Sequence, residues 1–186
     1  MIKIVAFDLI GVLIGEKNIE LSNEENKLER LFGPNISDTE YIEKGKEIIG
    51  EDKDIVNITK SIISKLYRIR QEDVFKTIKN KYNNIKIIIA TNHISYVRNY
   101  VEEVFDSKYL DDIIISAEIN KIKPNRDFYQ YILDKYNIKS HELLFLDDSH
   151  VNVDEAKELG INTIKVNKDM DISKAVIEYL DNKWEN

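Results

Sequence analysis

The 186-residue chain contains no cysteine, no excess of positive charge and no long apolar run. The absence of cysteine excludes disulfide bonds, thiolate zinc sites and cysteine nucleophiles. With 34 acidic against 27 basic side chains the net charge is −7, which argues against a nucleic-acid groove because such a groove needs clustered positive charge. No apolar run reaches the length that a bilayer requires. Neither nucleic acid nor a membrane is therefore expected as a partner.

The composition is that of a globular protein, with 42% hydrophobic and 33% charged residues. This length suits one domain with a substantial core, or a core with a modest insertion. The N-terminus superficially resembles a signal peptide, but Asp8 interrupts its apolar run and no small-residue cleavage site follows. We therefore expect a cytoplasmic protein.

The first stretch, Ile2 to Gly15, has the pattern of a buried strand that ends in an acid. Its sequence IKIVAFDLIGVLIG begins with a near-continuous apolar run, which is typical of a strand buried on both faces. Asp8 follows directly, and Gly11 permits a sharp turn. In an open α/β sheet, ligands gather at the carboxyl ends of strands, and a buried carboxylate is costly unless it is paired. Asp8 is thus either an acid that faces a metal or phosphate, or a turn residue or helix N-cap.

Residues 16–84 show helical periods and no strand-like alternation. Ser22 and Ser37 are suited to cap two helices, a third helical face runs from Ile55 to Ile69, and a fourth helix follows from Val74 to Tyr82. We interpret this region as a small helical bundle inserted between strands. Its basic run is interpreted as a solvated helix face and comprises Lys60, Lys65, Arg68, Arg70 and Lys76.

From residue 85 onward, apolar segments alternate with amphipathic helices. Strands are predicted over 87–90, 113–116, 143–146 and 162–166. Strands that alternate with helices predict a parallel sheet with right-handed crossovers. We therefore expect an α/β fold with a Rossmann-like three-layer core, formed by residues 1–15 and 85–186, and an inserted helical cap over 16–84.

Polar side chains recur where these predicted strands end. They are Asp8, Thr91, Asn92, Lys123, Asp147 and Asp148. At one sheet edge they would supply a carboxylate nucleophile, a hydroxyl and an amide for an oxyanion, an ammonium group and an acid pair for a metal. These are the components that phosphoryl transfer requires.

Four segments, in order, resemble the motifs of the haloacid dehalogenase (HAD) superfamily. FDLIGVL resembles the first, a strand ending in Asp-x-x-Gly, and IIIATN resembles the second, a strand ending in Ser/Thr-Asn. KPNRDFY resembles the Lys-Pro form of the third, and FLDDSHVNVDEAKELG resembles the fourth, an acid pair followed by a helix. The helical region lies where first-class caps of the family are inserted.

The resemblance implies a hydrolase with an Mg2+ site and an aspartyl nucleophile. Asp8 would attack phosphorus and also bind the ion, with the backbone carbonyl of Ile10 as a second protein ligand. Asp148 would be a direct carboxylate ligand, and Asp147 a ligand either directly or through water. Such an oxygen-rich site with few protein ligands suits Mg2+.

The resemblance also implies how a phosphoryl group would be held. Thr91 and the backbone near Asn92 would bind its oxygens, and Lys123 would neutralise charge between the nucleophile and the phosphate. A small phosphorylated metabolite is the expected substrate. The sequence does not indicate an oligomeric state.

The chain departs from the family at Ile10. Family phosphatases carry a second Asp two residues after the nucleophile, which protonates the leaving oxygen and later activates water. Isoleucine can do neither, and losing a general acid/base typically costs about 10²- to 10⁴-fold in rate. The sequence therefore predicts a site that binds metal and phosphate but turns over poorly.

Three functional hypotheses remain open from the sequence. The chain is a working hydrolase whose acid comes from elsewhere, with Glu16 and Lys17 as candidates that are otherwise surface residues. Alternatively, it is a catalytically silent relative that binds a phosphorylated ligand or a partner. In the third hypothesis it performs dehalogenase- or phosphonatase-like chemistry, the latter with Lys17 as a Schiff base. The acid pair argues against the metal-free dehalogenase mode.

Two further polar residues carry weaker expectations. His93 is expected to be a capping or solvated loop histidine rather than part of the site. Asn152 either contacts the metal shell or caps its helix.

Overall fold

The computed structural model of the protein describes residues 1–184 and contains two sheets. Their strands are β1 (Ile4–Phe7), β2 (Ile14–Glu16), β3 (Tyr67–Ile69), β4 (Lys86–Thr91), β5 (Asp112–Ile115), β6 (Leu143–Asp147) and β7 (Asn162–Lys165). The helices are α1 (Asn23–Glu29), α2 (Asp38–Ile49), α3 (Ile55–Leu66), α4 (Val74–Lys81), α5 (Val97–Val104), α6 (Ser116–Ile119), α7 (Arg126–Tyr136), α8 (His150–Glu158) and α9 (Ile172–Trp184).

The main sheet has five parallel strands in the order β5-β4-β1-β6-β7. Side chains of β1 alternate between two hydrophobic cores, with Val5 and Phe7 in one and Ile4 and Ala6 in the other. The first core includes side chains of α3, α4, α5 and α9, whereas the second includes side chains of α7 and α8. Helices thus cover both faces, and the predicted Rossmann-like α/β fold is confirmed.

The register of the central strands brings three chain segments to one edge. Phe7, the last residue of β1, is level with Ile89 in β4 and Leu146 in β6. The Asp8 N–H donates to the Leu146 carbonyl at 2.8 Å, so Asp8 continues the ladder beside Asp147. The carboxyl ends of β1, β4 and β6 therefore form one rim, where ligands of open α/β sheets collect.

Helices α1, α2 and α3 pack on one another, and α1 and α2 begin directly after the predicted caps. The Ser22 and Ser37 hydroxyls accept hydrogen bonds from the backbone N–H groups of Glu25 and Glu40. Helix α4 instead packs against α9, and Lys81 pairs with Asp181 at 2.7 Å. The division into core and cap remains a prediction.

The expectation that residues 16–84 lack strands was wrong. Tyr67 leaves the helical conformation, and β3 pairs antiparallel with β2, so that Ile69 lies opposite Ile14. The helical spacing of apolar residues continues to Ile69 and so does not show where the helix ends. Ile69 fits that spacing, but the residue types of Tyr67 and Ile69 also favour strands. The pairing is between residues more than 50 positions apart.

Among residues 1–184, no helix combines the length and the apolar content that a membrane span would need.

The packing of α2 against its neighbours makes Gly45 a testable position. A Cβ there would lie 2.8 Å from Ile55 Cγ2 and 3.2 Å from Leu28 Cδ2. Gly45→Ala should therefore lower the free energy of unfolding by about 1–2 kcal/mol, because overpacking outweighs the gain in helix propensity. Urea unfolding measures the change. In an Ile55→Ala background the same substitution should cost at least about 1 kcal/mol less, and an equal cost in both backgrounds would contradict the packing explanation.

Candidate active site

A buried lysine lies between two acids at the rim of the sheet. Lys123 Nζ donates to Asp8 Oδ1 at 2.6 Å and to Asp147 Oδ2 at 2.8 Å. The side chains of Lys123 and Asp147 are each 1% exposed, and that of Asp8 is 11% exposed. Two buried carboxylates share one ammonium group, so the trio retains an excess negative charge if both acids are ionised. Such a charge is costly in a buried site unless a further cation approaches.

A third acid meets this trio from the exposed side. Single carboxylate oxygens of Asp8, Asp147 and Asp148 all lie within 4.8 Å of one another. Gly11 permits this approach, because a Cβ there would overlap the Asp148 carboxylate and the φ of +84° at this position favours glycine. The donor set is entirely carboxylate oxygen, which suits a hard divalent cation such as Mg2+. These residues could therefore hold a metal ion.

The pKa values of Asp8 and Lys123 are both raised, for different physical reasons. Burial raises the pKa of Asp8 to about 6, assisted by the negative charge of Asp147 and opposed by Lys123. Burial alone would lower the pKa of Lys123, but the carboxylates of Asp8 and Asp147 outweigh it and the pKa is raised. Lys123 therefore remains an ammonium group at neutral pH. A cation close to Asp8 would favour its carboxylate form.

Asp147 is held by protein groups on both of its oxygens. Asn152 Nδ2 lies 3.1 Å from Oδ1 and 3.0 Å from Oδ2. The Ser149 N–H donates to Oδ1 at 2.8 Å, and Lys123 occupies Oδ2. Asn152 therefore contacts the acid pair from the first turn of α8. With its oxygens so engaged, Asp147 fixes the position of Lys123.

Asn92 performs a positioning task that the sequence did not reveal. Its Oδ1 accepts the Lys123 N–H at 2.9 Å, and its Nδ2 donates to the Lys123 carbonyl at 2.8 Å. The side-chain amide thus holds the backbone of the lysine loop. Thr91 ends β4, where it pairs with Ile115 of β5, and it is buried. The predicted roles of Thr91 and of the backbone near Asn92 toward a phosphoryl group remain predictions.

Ile10 lies in the turn between β1 and β2, where it forms a bridge with Ile14. Its side chain is half-buried and packs against the hydrophobic core. The predicted participation of its carbonyl in metal binding remains a prediction.

The expectation that His93 is solvated or capping was wrong. Its side chain is buried, with Nε2 at 3.0 Å from the Tyr67 hydroxyl and Nδ1 at 3.3 Å from the Ile94 carbonyl. Because a carbonyl only accepts, Nδ1 carries the proton and Nε2 accepts from Tyr67. Burial lowers the pKa of His93 to about 4. The neutral ring therefore connects β3 to the loop after β4, across 26 positions of the chain.

A parallel α/β sheet with three acids and a buried lysine at its carboxyl edge defines a Rossmann-like protein with an acidic site that could hold a cation. A sequence model of the family described as haloacid dehalogenase-like hydrolase matches residues 7–166. The chain therefore belongs to this family.

Curated relatives match only a segment. Bifunctional epoxide hydrolase 2 from Rattus norvegicus is 37% identical over 60 residues, which is 32% of this chain and 11% of that protein. Glyceraldehyde 3-phosphate phosphatase from Methanocaldococcus jannaschii is 33% identical over 61 residues, covering 32% of this chain and 27% of the relative. The matched segments thus span less than a third of either relative.

Solved structures match nearly the whole chain. A HAD-like family hydrolase from Porphyromonas gingivalis has a TM-score of 0.75 and 21% identity, covering 97% of this chain and 98% of that one. A HAD family enzyme from Bacteroides thetaiotaomicron was solved with magnesium and inorganic phosphate. It has a TM-score of 0.73 and 20% identity, and the match covers 94% of this chain and 99% of that one. At these identities the likeness shows a shared fold.

The buried imidazole predicts a pH dependence of stability. The unfolded chain takes up a proton on His93 near its usual pKa of 6.5, whereas the folded chain does so only near about 4. The contribution of His93 to stability is therefore complete above about pH 6.5 and is lost progressively as the pH falls toward about 4. It should decrease by about 2 kcal/mol between about pH 7.5 and about pH 5.

Urea unfolding of the native chain and of His93→Gln at both pH values isolates this effect. Glutamine can still accept from Tyr67 but does not titrate. The difference in unfolding free energy between the two proteins should change by about 2 kcal/mol between the two pH values. Because both proteins contain Asp8, its opposite contribution cancels in this difference. A difference that does not vary with pH would contradict a neutral, buried His93.

Proposed function

We propose that this chain is an Mg2+-dependent phosphatase-type hydrolase that uses Asp8 as nucleophile and turns over slowly because position 10 is isoleucine. The observation that carries the proposal is the cluster of Asp8, Asp147 and Asp148, two of which, Asp8 and Asp147, bind the buried ammonium group of Lys123. Its expected substrate is a small phosphorylated metabolite. Support also comes from the fold neighbour that was solved with magnesium and inorganic phosphate.

The proposed metal ligands are Asp8, Asp148 and the Ile10 carbonyl, with Asp147 direct or through water. The excess negative charge of the acid cluster and its all-oxygen donor set fit Mg2+. Its chemical contribution would be to neutralise charge on the phosphoryl oxygens and to keep Asp8 ionised.

The first chemical step needs little more than the residues present. A carboxylate oxygen of Asp8 forms a bond to phosphorus while the bond from phosphorus to the leaving oxygen breaks. Lys123, fixed by Asp147 and by the Asn92 side chain, offsets negative charge between Asp8 and the phosphoryl group. Thr91 and the backbone near Asn92 are proposed to hold the phosphoryl oxygens. The leaving oxygen departs with its electron pair and receives no proton from Ile10.

The second step lacks a base at the usual position. Water must attack the phosphorus of the aspartyl phosphate and lose a proton, which restores Asp8 and releases inorganic phosphate. Ile10 has no group that could take this proton. We therefore expect hydrolysis of the intermediate to limit turnover of esters with a good leaving group, whereas departure of the unprotonated leaving oxygen limits turnover of alkyl esters.

The same isoleucine favours one alternative, a catalytically silent relative that binds a phosphorylated ligand or a partner. Other HAD chemistry has less support. Lys17, which a phosphonatase-like mechanism would need, is exposed and its Nζ donates to the Ser64 carbonyl at 3.2 Å. The close approach of Asp148 to Asp8 favours a metal-dependent reaction over the metal-free dehalogenase mode.

The missing acid predicts a strong dependence on the leaving group. With Mg2+, the chain should cleave p-nitrophenyl phosphate, whose leaving group needs little protonation, far faster than glycerol phosphate. Ile10→Asp should raise turnover of the alkyl ester by about 10²-fold or more, because it restores both the acid and the base. The aryl ester should gain less, because it uses only the restored base of the second step. Steady-state rates measure both, with Ile10→Val as the control that restores no acid and Asp8→Asn as the inactive reference. Absence of Mg2+-dependent turnover on either ester, before and after Ile10→Asp, would favour the silent relative.

The missing base predicts an accumulating intermediate. Rapid mixing with p-nitrophenyl phosphate should release about one nitrophenolate per protein in a burst, followed by a slower steady rate. Intact-mass measurement after acid quenching should find one added phosphoryl group, which Asp8→Asn abolishes. Turnover without a burst and without phosphorylated protein would show that hydrolysis of the intermediate is not limiting.

A further inference from the structure

Arg70 follows β3 and reaches back to the loop that carries Asp8. Its N–H donates to the Leu13 carbonyl at 3.0 Å and so extends the small hairpin. Its Nη1 donates to the carbonyls of Gly11 and Val12, the latter at 3.3 Å. The expectation that this arginine belongs to a solvated helix face was therefore wrong.

The other side of the guanidinium group binds a second loop. Nη2 donates to the carbonyls of Asn167 at 3.0 Å and Lys168 at 2.7 Å, just after β7. One planar group thus contacts four main-chain carbonyls from two loops that lie more than 150 positions apart. A lysine cannot reproduce this, because its single nitrogen lacks the fixed fork that spaces the two pairs of donors.

The loop that Arg70 holds abuts the proposed metal site directly. Gly11 is so close to the Asp148 carboxylate that a Cβ would overlap it. The neighbouring carbonyl, that of Ile10, is a proposed ligand. A rotation or shift of the Gly11–Val12 peptides would therefore change the relative positions of the Asp8 and Asp148 carboxylates and the Ile10 carbonyl.

We infer that Arg70 is a positioning residue for the metal site, acting through the Gly11 and Val12 carbonyls. The inference rests on the proposed function, since it concerns the affinity of the proposed Mg2+ site. Groups that orient metal ligands typically change affinity or activity by about 10- to 100-fold when they are replaced. Arg70 contacts neither the metal nor the substrate in this role.

Gln71 provides a matched control in the same segment. Its Nε2 donates to Asp171 Oδ1 at 2.9 Å and to Ser173 Oγ at 3.0 Å, and its Oε1 accepts the Ile172 N–H at 2.8 Å. These contacts also fasten the segment after β3 to the C-terminal part of the chain. They involve residues 171–173 rather than the loop after Asp8.

Titration calorimetry with Mg2+ alone tests the inference on the full chain. Arg70→Lys, which keeps the charge and much of the stem, should weaken Mg2+ binding by about 10-fold or more, whereas Gln71→Ala should stay within about 2-fold of the native value. Arg70→Gln, measured in parallel, removes the charge and the fork. Thermal unfolding in a chelator records any general loss of stability. Added methylguanidinium should restore part of the affinity to Arg70→Gln but not to Gln71→Ala.

The possible outcomes distinguish a failure of this inference from a failure of the proposed function. Native Mg2+ affinity in both Arg70 variants would overturn the positioning role and leave the hydrolase proposal intact. Equal weakening in Gln71→Ala would assign the effect to the whole segment and would also overturn it. Failure of the native chain to bind Mg2+ would overturn both.

Discussion

The ion pair of Lys123 with Asp8 and Asp147 is the constraint on which the rest of the site depends. Lys123, whose side chain is 1% exposed, can bind both carboxylates only if three chain segments meet at one point with good hydrogen-bond geometry. The parallel register of β1 and β6 supplies two of these segments. The amide of Asn92 supplies the third, because it holds the backbone of Lys123 from the end of β4.

Under the proposed function, this arrangement would separate the binding of charge from the movement of protons. The three acids would attract the proposed cation, and Lys123 would offset negative charge on the proposed phosphoryl group. The position that would donate and accept protons is instead an apolar side chain packed on the core. In this proposal the charged framework is retained while one neighbouring residue sets the rate, since general acid/base groups contribute about 10²- to 10⁴-fold.

The features that could be predicted from the sequence are those with a local signal. The apolar run before Asp8, the acid pair at the end of β6 and the caps of α1 and α2 are each indicated by residues within a few positions. The features that could not be predicted depend on contacts between distant segments. Arg70 meets Gly11 across 59 positions and Tyr67 meets His93 across 26, and nothing in the immediate sequence of either pair indicates the contact.

The most direct test of the central claim is a crystal structure of the chain grown with Mg2+ and inorganic phosphate. The account predicts one ion between the carboxylates of Asp8 and Asp148, with Lys123 still bound to Asp8 and the phosphate facing the Asp8 carboxylate. An ion bound elsewhere, or an Asp148 turned away from Asp8 with Mg2+ at saturating concentration, would contradict it.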